Sequence, residues 1–210
     1  MVQSLSMRRV VLVTERLLIR ELPPAAAAAV AAFHHESAHF HRRWEPSRSP
    51  GYFEPAHHRD LLKRERRTDQ VIHLWMFLRD DAASRRRVSR GWRGRSIVGS
   101  VTLTAIVRGA FQNCVLGYKI DARHARRGYM REALTATLDH TFGELGLHRV
   151  EISVMPDNAA SISLATGLGF VLEGTSRKFL KIQERWEDHL RMSLIDEEWR
   201  QQRLSAKPSP

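Results

Sequence analysis

The sequence predicts a single α/β domain with a partly antiparallel sheet, and three observations predict it. The chain has 210 residues, 42% hydrophobic and 27% charged. That is the composition of a globular domain, and a chain this long buries roughly 70% of its unfolded surface without a disulfide or structural metal. Runs of period two and period 3.6 follow one another as strand, two helices, three strands, helix, strand, helix, two strands. No internal repeat divides the chain, so residues 10–200 read as one domain.

Thr14-Glu15-Arg16-Leu17-Leu18-Ile19-Arg20 reads as the opening strand. Pro23-Pro24 starts an alanine-rich helix, since proline is tolerated in a first turn and alanine is the best helix former. After the polar segment around Trp44-Glu45-Pro46, Pro55 opens a charged helix to about Arg67, and Val71 to Arg79 is a strand. Residues 80–95 lose all periodicity and collect Arg85, Arg86, Arg87, Arg90, Arg93 and Arg95, an arginine-rich loop insertion. Ser96 to Val107 and Cys114 to Ile120 are the next strands. Met130, Leu134, Leu138, Phe142 and Leu145 mark one face of a helix from Gly128 that Gly146 ends. Val150, Ile152 and Val154 alternate as a strand, and Asp157 or Asn158 caps a short helix that stops near Gly167 to Gly169. Phe170 to Ile182 and Trp186 to Ile195 are the last strands. The polar end, residues 201–210, reads as a disordered tail.

Lys and Arg number 34 against 23 Asp and Glu, a net charge of +11. Such a balance attracts polyanions such as RNA, or a phosphorylated cofactor, although a genome that favours arginine produces the same excess. One cysteine, Cys114, excludes intrachain disulfides and cysteine-ligated zinc, and points to a reducing, cytoplasmic compartment. The apolar run Val10 to Val13 is too short for a signal sequence, and no stretch approaches the ~18 apolar residues of a membrane span, so no membrane partner is expected.

The informative stretch is Gly117-Tyr118-Lys119-Ile120-Asp121-Ala122-Arg123-His124-Ala125-Arg126-Arg127-Gly128-Tyr129-Met130-Arg131. A strand runs through a basic loop with one glycine into a helix. Unpaired backbone N–H groups and the positive helix end then face one point, which is an anion site. Pyrophosphate suits it, with Arg126, Arg127 and Arg131 adding charge. An ordinary strand-to-helix turn has the same pattern.

This loop resembles the Gln/Arg-x-x-Gly-x-Gly/Ala signature of the GCN5-related N-acetyltransferases (GNAT), with Gly128 matching, Ala125 in the Gln/Arg place and Met130 in the last. Further stretches are similar to the RimJ/RimL-type ribosomal-protein alanine acetyltransferases. They are Val107 to Tyr118, Asn158-Ala159-Ala160-Ser161, Gly169-Phe170-Val171-Leu172-Glu173-Gly174, Trp186-Glu187-Asp188, Thr14-Glu15-Arg16-Leu17 and Trp44-Glu45-Pro46. The resemblance spans nearly the whole chain. It implies a mixed, mostly antiparallel twisted sheet flanked by helices, and acetyl-CoA as acetyl donor. It also implies that the amides of Arg126, Arg127, Gly128, Tyr129, Met130 and Arg131 hold the pyrophosphate.

Acyl transfer from a thioester to an amine sets the remaining requirements. A free α-amine has a pKa of about 7.7–8.0 and needs only a weak base. The resemblance implies that the backbone N–H of Lys119 or Ile120 stabilises the oxyanion, that Ser161 assists the leaving thiolate, and that Asn158 orients the cofactor arm or a water. Asn158 and Ser161 can equally be a helix N-cap pair. Glu45 is either a surface carboxylate or the acceptor of the substrate's ammonium proton; Tyr118 is a packed strand aromatic or a proton donor. His34, His35, His39 and His41 lack the cysteines or paired aspartates of a metal site, and Cys114 reads as a buried hydrophobe.

Three functions fit these residues: acetylation of a protein N-terminus beginning with Ala or Ser, ribosomal by the resemblance; acetylation of a small amine such as an antibiotic or polyamine; and a basic RNA-binding or ribosome-associated module with weakened catalysis. The arginine-rich loop, with Trp92, is either a solvated loop or an arm for ribosomal RNA. Monomer and dimer are both open.

Overall fold

The computed structural model describes residues 10–79 and 96–205. The chain folds on one eight-stranded sheet: β1 (Val11–Val13), β2 (Leu17–Arg20), β3 (Ile72–Leu78), β4 (Gly99–Val107), β5 (Asn113–Ile120), β6 (Arg149–Val154), β7 (Val171–Ile182) and β8 (Arg185–Ile195). Their spatial order is β1-β2-β3-β4-β5-β6-β8-β7. Every neighbouring pair is antiparallel except β5 and β6. The predicted mixed, mostly antiparallel sheet is therefore present.

Helices cover both faces because the strands alternate apolar residues to both sides. On one face α1 (Ala27–His41) and α2 (Pro55–Glu65) pack through Val30, Phe33 and Leu62 onto Leu18, Trp75 and Phe77. On the other, α3 (Tyr129–Gly143) buries Met130, Leu134, Leu138 and Phe142 against Leu74, Met76, Val101 and Leu116. The 3.6-residue spacing named those four α3 residues. Two threonines inside the same helix, Thr137 and Thr141, are buried and satisfied by donating to the carbonyls of Ala133 and Thr137 at 2.8 and 2.7 Å. Short α4 (Ala159–Thr166) follows β6, and its cap is Asn158.

Four sequence expectations need correction. The opening strand starts at Leu17 rather than Thr14, because Thr14 and Arg16 turn to Glu132 of α3, and a short strand, Val11–Val13, precedes it. The Pro23-Pro24 start is a single 3-10 turn, Pro24–Ala26, before α1 begins. α3 ends at Gly143 rather than near Leu145. The tail read as disordered from 201 is helical to Ser205: α5 (Asp196–Ser205) starts with three acids at its positive end and buries Trp199 against Phe142. The Trp199 indole donates to Asp139 at 2.9 Å. The arginine-rich insertion at 80–95 and residues 206–210 lie outside the described residues.

Candidate active site

β5 and β6 pair in parallel only at Asn113–Arg149, Cys114–Val150 and Val115–Glu151. Beyond Val115 the strands part, β5 staying with β4 to Ile120 and β6 with β8 to Val154. The wedge between them opens towards the basic loop. In a strand the N–H and C=O of one residue point to the same side, and successive residues alternate. Asp121 donates to the Val98 carbonyl at 2.9 Å, and the Ile120 carbonyl accepts from His41 Nε2 at 2.9 Å. The alternation therefore commits the Lys119 amide to Ser100 on β4 and turns the Tyr118 and Ile120 amides to the wedge. Of the two amides proposed from sequence, Ile120 is the one with this geometry. Gly99 keeps the ladder tight here: a Cβ on it would lie 2.6 Å from the Lys119 carbonyl.

The loop then turns through Arg126 and Gly128, both with positive φ (59° and 78°). Gly128 is the N-cap of α3, and no side chain caps the first amides of the helix. Those amides are free to take an anion. Arg126 and Arg127 are exposed beside them, whereas Arg131 donates to the Gly167 carbonyl at 2.7 Å and Met130 is buried. Met130 can contribute only its backbone.

The loop is held from behind by Glu132, Thr14 and Arg16, none of which the sequence reading placed in the site. Glu132 accepts from the Thr14 hydroxyl at 2.5 Å, the Arg16 amide at 2.8 Å and Arg16 Nε at 2.6 Å. Burial alone would raise the Glu132 carboxyl; these donors hold it below the usual carboxylate range. Arg16 Nη1 donates to the Arg127 carbonyl at 3.0 Å, and its guanidinium lies 4.7 Å over the Tyr129 ring. With that carbonyl occupied from behind, the loop is held in one orientation. The signal was present in Thr14-Glu15-Arg16-Leu17, but not the partner 116 residues away.

On the far side of the wedge, Asn158 Oδ1 accepts from the Ser161 amide at 3.1 Å, so the capping role belongs to Asn158. The Ser161 hydroxyl is left to pair with the Tyr118 hydroxyl at 2.8 Å. Burial pushes the Tyr118 phenol up, with the Ser161 bond opposing it. The two hydroxyls form a hydrogen-bonded pair beside the open edge of β5.

On the α1 side a cavity of about 470 Å³ is lined by His34, His41, Arg42, Glu45, Arg48 and Tyr52, among others. Glu45 to Arg48, with Tyr52 and Phe53, form one of its walls. Glu45 is neither an exposed surface carboxylate nor unpaired: Lys119 Nζ sits 2.6 Å from it, and Arg48 Nη2 3.7 Å. Burial lowers the Lys119 ammonium and Glu45 opposes that shift. His41 was set aside at the sequence level with the other histidines. It faces this cavity with its tautomer fixed, Nε2–H donating to Ile120 and Nδ1 3.9 Å from Glu45. Burial keeps its pKa below the ordinary histidine value, against the pull of Glu45. No group of three or more His, Cys, Asp or Glu that could hold a metal occurs among the described residues.

Residues 16–171 match the family described as the acetyltransferase (GNAT) domain, a span that contains the loop, the wedge and the Asn158–Ser161 turn. The chain belongs to the GNAT acetyltransferases. The [ribosomal protein uS5]-alanine N-acetyltransferase of Escherichia coli is 28% identical over 194 residues, 91% of this chain and 93% of that one. A probable N-acetyltransferase of Bacillus subtilis, YjcK, is 41% identical over 100 residues, which span 48% of this chain and only 55% of YjcK. The crystal structure of ribosomal-protein-S5-alanine acetyltransferase from Vibrio fischeri superposes with a TM-score of 0.79 at 27% identity, covering 90% of this chain and 98% of that one.

The residues of this acetyltransferase fit acetyl-CoA, the donor of its family. Uncapped α3 amides, a glycine where the backbone must come close, and an open strand edge suit a pyrophosphate and an extended amide-bearing arm. The side of the wedge towards α1 leads to the cavity, and the other to the Tyr118–Ser161 pair.

Proposed function

We propose that this acetyltransferase acetylates the α-amine of a protein N-terminus, a ribosomal protein beginning with Ala or Ser. The observation that carries the reading is the cavity beside Ile120, walled by Glu45 to Arg48 with Tyr52 and Phe53 and containing an imidazole whose Nε2–H is fixed on the Ile120 carbonyl. The names of the E. coli and V. fischeri relatives support the ribosomal acceptor.

Acetyl-CoA, when bound, supplies an acyl carbon on a thiol leaving group. The amides of Arg126 to Arg131 bind its pyrophosphate, with Arg126 and Arg127 adding charge. The Ile120 N–H donates to the oxygen on which negative charge develops. His41 Nδ1 takes the proton of the attacking amine, a role the sequence reading had offered for Glu45 as one of two alternatives. Glu45, ion-paired with Lys119 at 2.6 Å, acts as the acceptor that orients the amine. The Ser161 hydroxyl, backed by Tyr118, gives a proton to the departing thiolate, and Asn158 holds Ser161 in place through its amide.

The test incubates the protein with acetyl-CoA, N-terminal peptides of ribosomal proteins, the same peptides with a blocked α-amine and a free lysine, and a panel of small amines. Mass detection should find acetylation of the free α-amine peptides. Equal rates on α-amine and lysine peptides, or turnover of small amines only, would overturn the reading.

A further inference from the structure

Charge in the acceptor cavity is one-sided. Its lining contains two guanidinium groups, Arg42 and Arg48, and one carboxylate, Glu45. That carboxylate is already neutralised by Lys119 at 2.6 Å. Arg48 stacks on the Tyr52 ring, 4.5 Å from its centroid, and so is held facing the cavity. Arg42 makes only a long bond to Gln183, 3.4 Å, and has no acidic partner among the described residues. The histidines add no negative charge, and burial lowers the pKa of His34 to about 2. Three cations therefore meet one carboxylate where the acceptor must lie.

We infer that this cavity selects acceptors with a carboxylate side chain shortly after the α-amine and disfavours polycationic amines. The inference rests on the protein N-terminus reading and names the class of N-terminus. The reacting amine belongs near His41 and Ile120, and Arg42 directly follows His41 in the chain. An extended peptide advances about 3.3–3.6 Å per residue, so its second to fourth side chains are those that reach Arg42 and Arg48. A carboxylate there meets the planar donor fork of Arg42, which has no acidic partner among the described residues, and that of Arg48, whose 3.7 Å contact with Glu45 it must share with Lys119. A polyamine would place its second cation against the same guanidinium groups.

The experiment compares kcat/KM for three Ala-initiated peptides that differ only at residues two to four, carrying Glu, Gln or Lys, with free glutamate and spermidine alongside. The Glu peptide should exceed the Gln peptide at least tenfold at low salt and the Lys peptide by more, with the gap shrinking in 1 M salt. In the Arg42→Gln and the Arg42→Gln/Arg48→Gln proteins, checked for unchanged Tm, the Glu-to-Gln ratio should fall towards one. Using a ratio separates charge selection from a general loss of activity. Peptides acetylated equally whatever their charge, or a preference that survives the double substitution, would overturn the inference while leaving the N-terminal reading intact. Free glutamate turned over faster than any peptide would assign the guanidinium groups to a small amino acid instead. Spermidine turned over with every peptide inert would overturn both readings.

Discussion

Single residues set the two ends of the reaction site, and each can be tested by what it alone contributes. Gly128 adopts φ +78°, and a Cβ on it would lie 3.2 Å from Arg16 Nη2. Gly128→Ala should therefore cost roughly 1–2 kcal/mol in stability from the left-handed backbone and also weaken acetyl-CoA binding, measured by Tm and calorimetric titration. Arg16→Gln, which leaves the glycine but frees the Arg127 carbonyl, should weaken acetyl-CoA binding about tenfold. Ser161 and Asn158 separate in the same way. Asn158→Ala removes the cap of α4 and should lower stability by about 1 kcal/mol. Ser161→Ala leaves the capped amide in place and should lower kcat with little change in Tm, as a proton donor does and a cap does not. For His41→Gln, whose amide can still donate to Ile120, kcat should fall at every pH. In the wild type, the low-pH limb of kcat should lie below pH 6.5, because burial lowers the imidazole. A variant with wild-type kcat would remove His41 from the chemistry.

At the scale of elements, α1 and α2 carry an acid-sensitive core. His34 and His58 stack with ring centroids 4.9 Å apart and planes 10° apart. Burial, with Lys119 and the other histidine adding to it, lowers His34 to about 2; burial and His57 lower His58 to about 4. Both rings are neutral in the folded chain at pH 6, whereas in the unfolded chain they take up protons below about 6.5. The unfolded state thus binds more protons as pH falls, and stability drops by up to about 1.4 kcal/mol per pH unit for each ring. Tm should decline from pH 7 to pH 5, and His58→Phe, which keeps a ring against His34, should make that decline shallower. An unchanged slope in the variant would show that His58 is not part of the response. α5 illustrates the opposite case: its charged sequence has little propensity for burial, yet one residue, Trp199, joins it to the core.

For the whole molecule, a net charge of +11 is a long-range field rather than a set of contacts. We propose that it draws the enzyme to ribosomal RNA near its substrate, with the arginine-rich residues 85–95 as the contact. Affinity for a ribosomal RNA fragment, read by fluorescence anisotropy, should fall linearly in log–log salt titration, and deletion of residues 85–95 should reduce the slope. A salt-independent affinity, or an unchanged slope after deletion, would remove that role. The guanidinium groups of the cavity and the overall charge have the same sign, so on the proposed reading a polyamine would be opposed at both scales.

The sequence by itself determined what is local. The order of the elements from β2 to β8, the buried face of α3, a cap at Asp157 or Asn158 and the glycine at the helix start follow from interactions within about four residues, which periodicity and capping preferences report, whereas β1 and α5 were not read. Tertiary structure decided what depends on distant residues meeting. β5 and β6 part after Val115 because each keeps its other neighbour in the sheet, and no pattern within either strand encodes that. Glu45 met Lys119, and Arg16 met Glu132, only after the sheet had brought α1 beside β5 and the β1–β2 turn beside α3. A carboxylate reads the same in sequence whether free or paired. Its partner, and hence what it can do, was settled by the neighbour that the fold supplied.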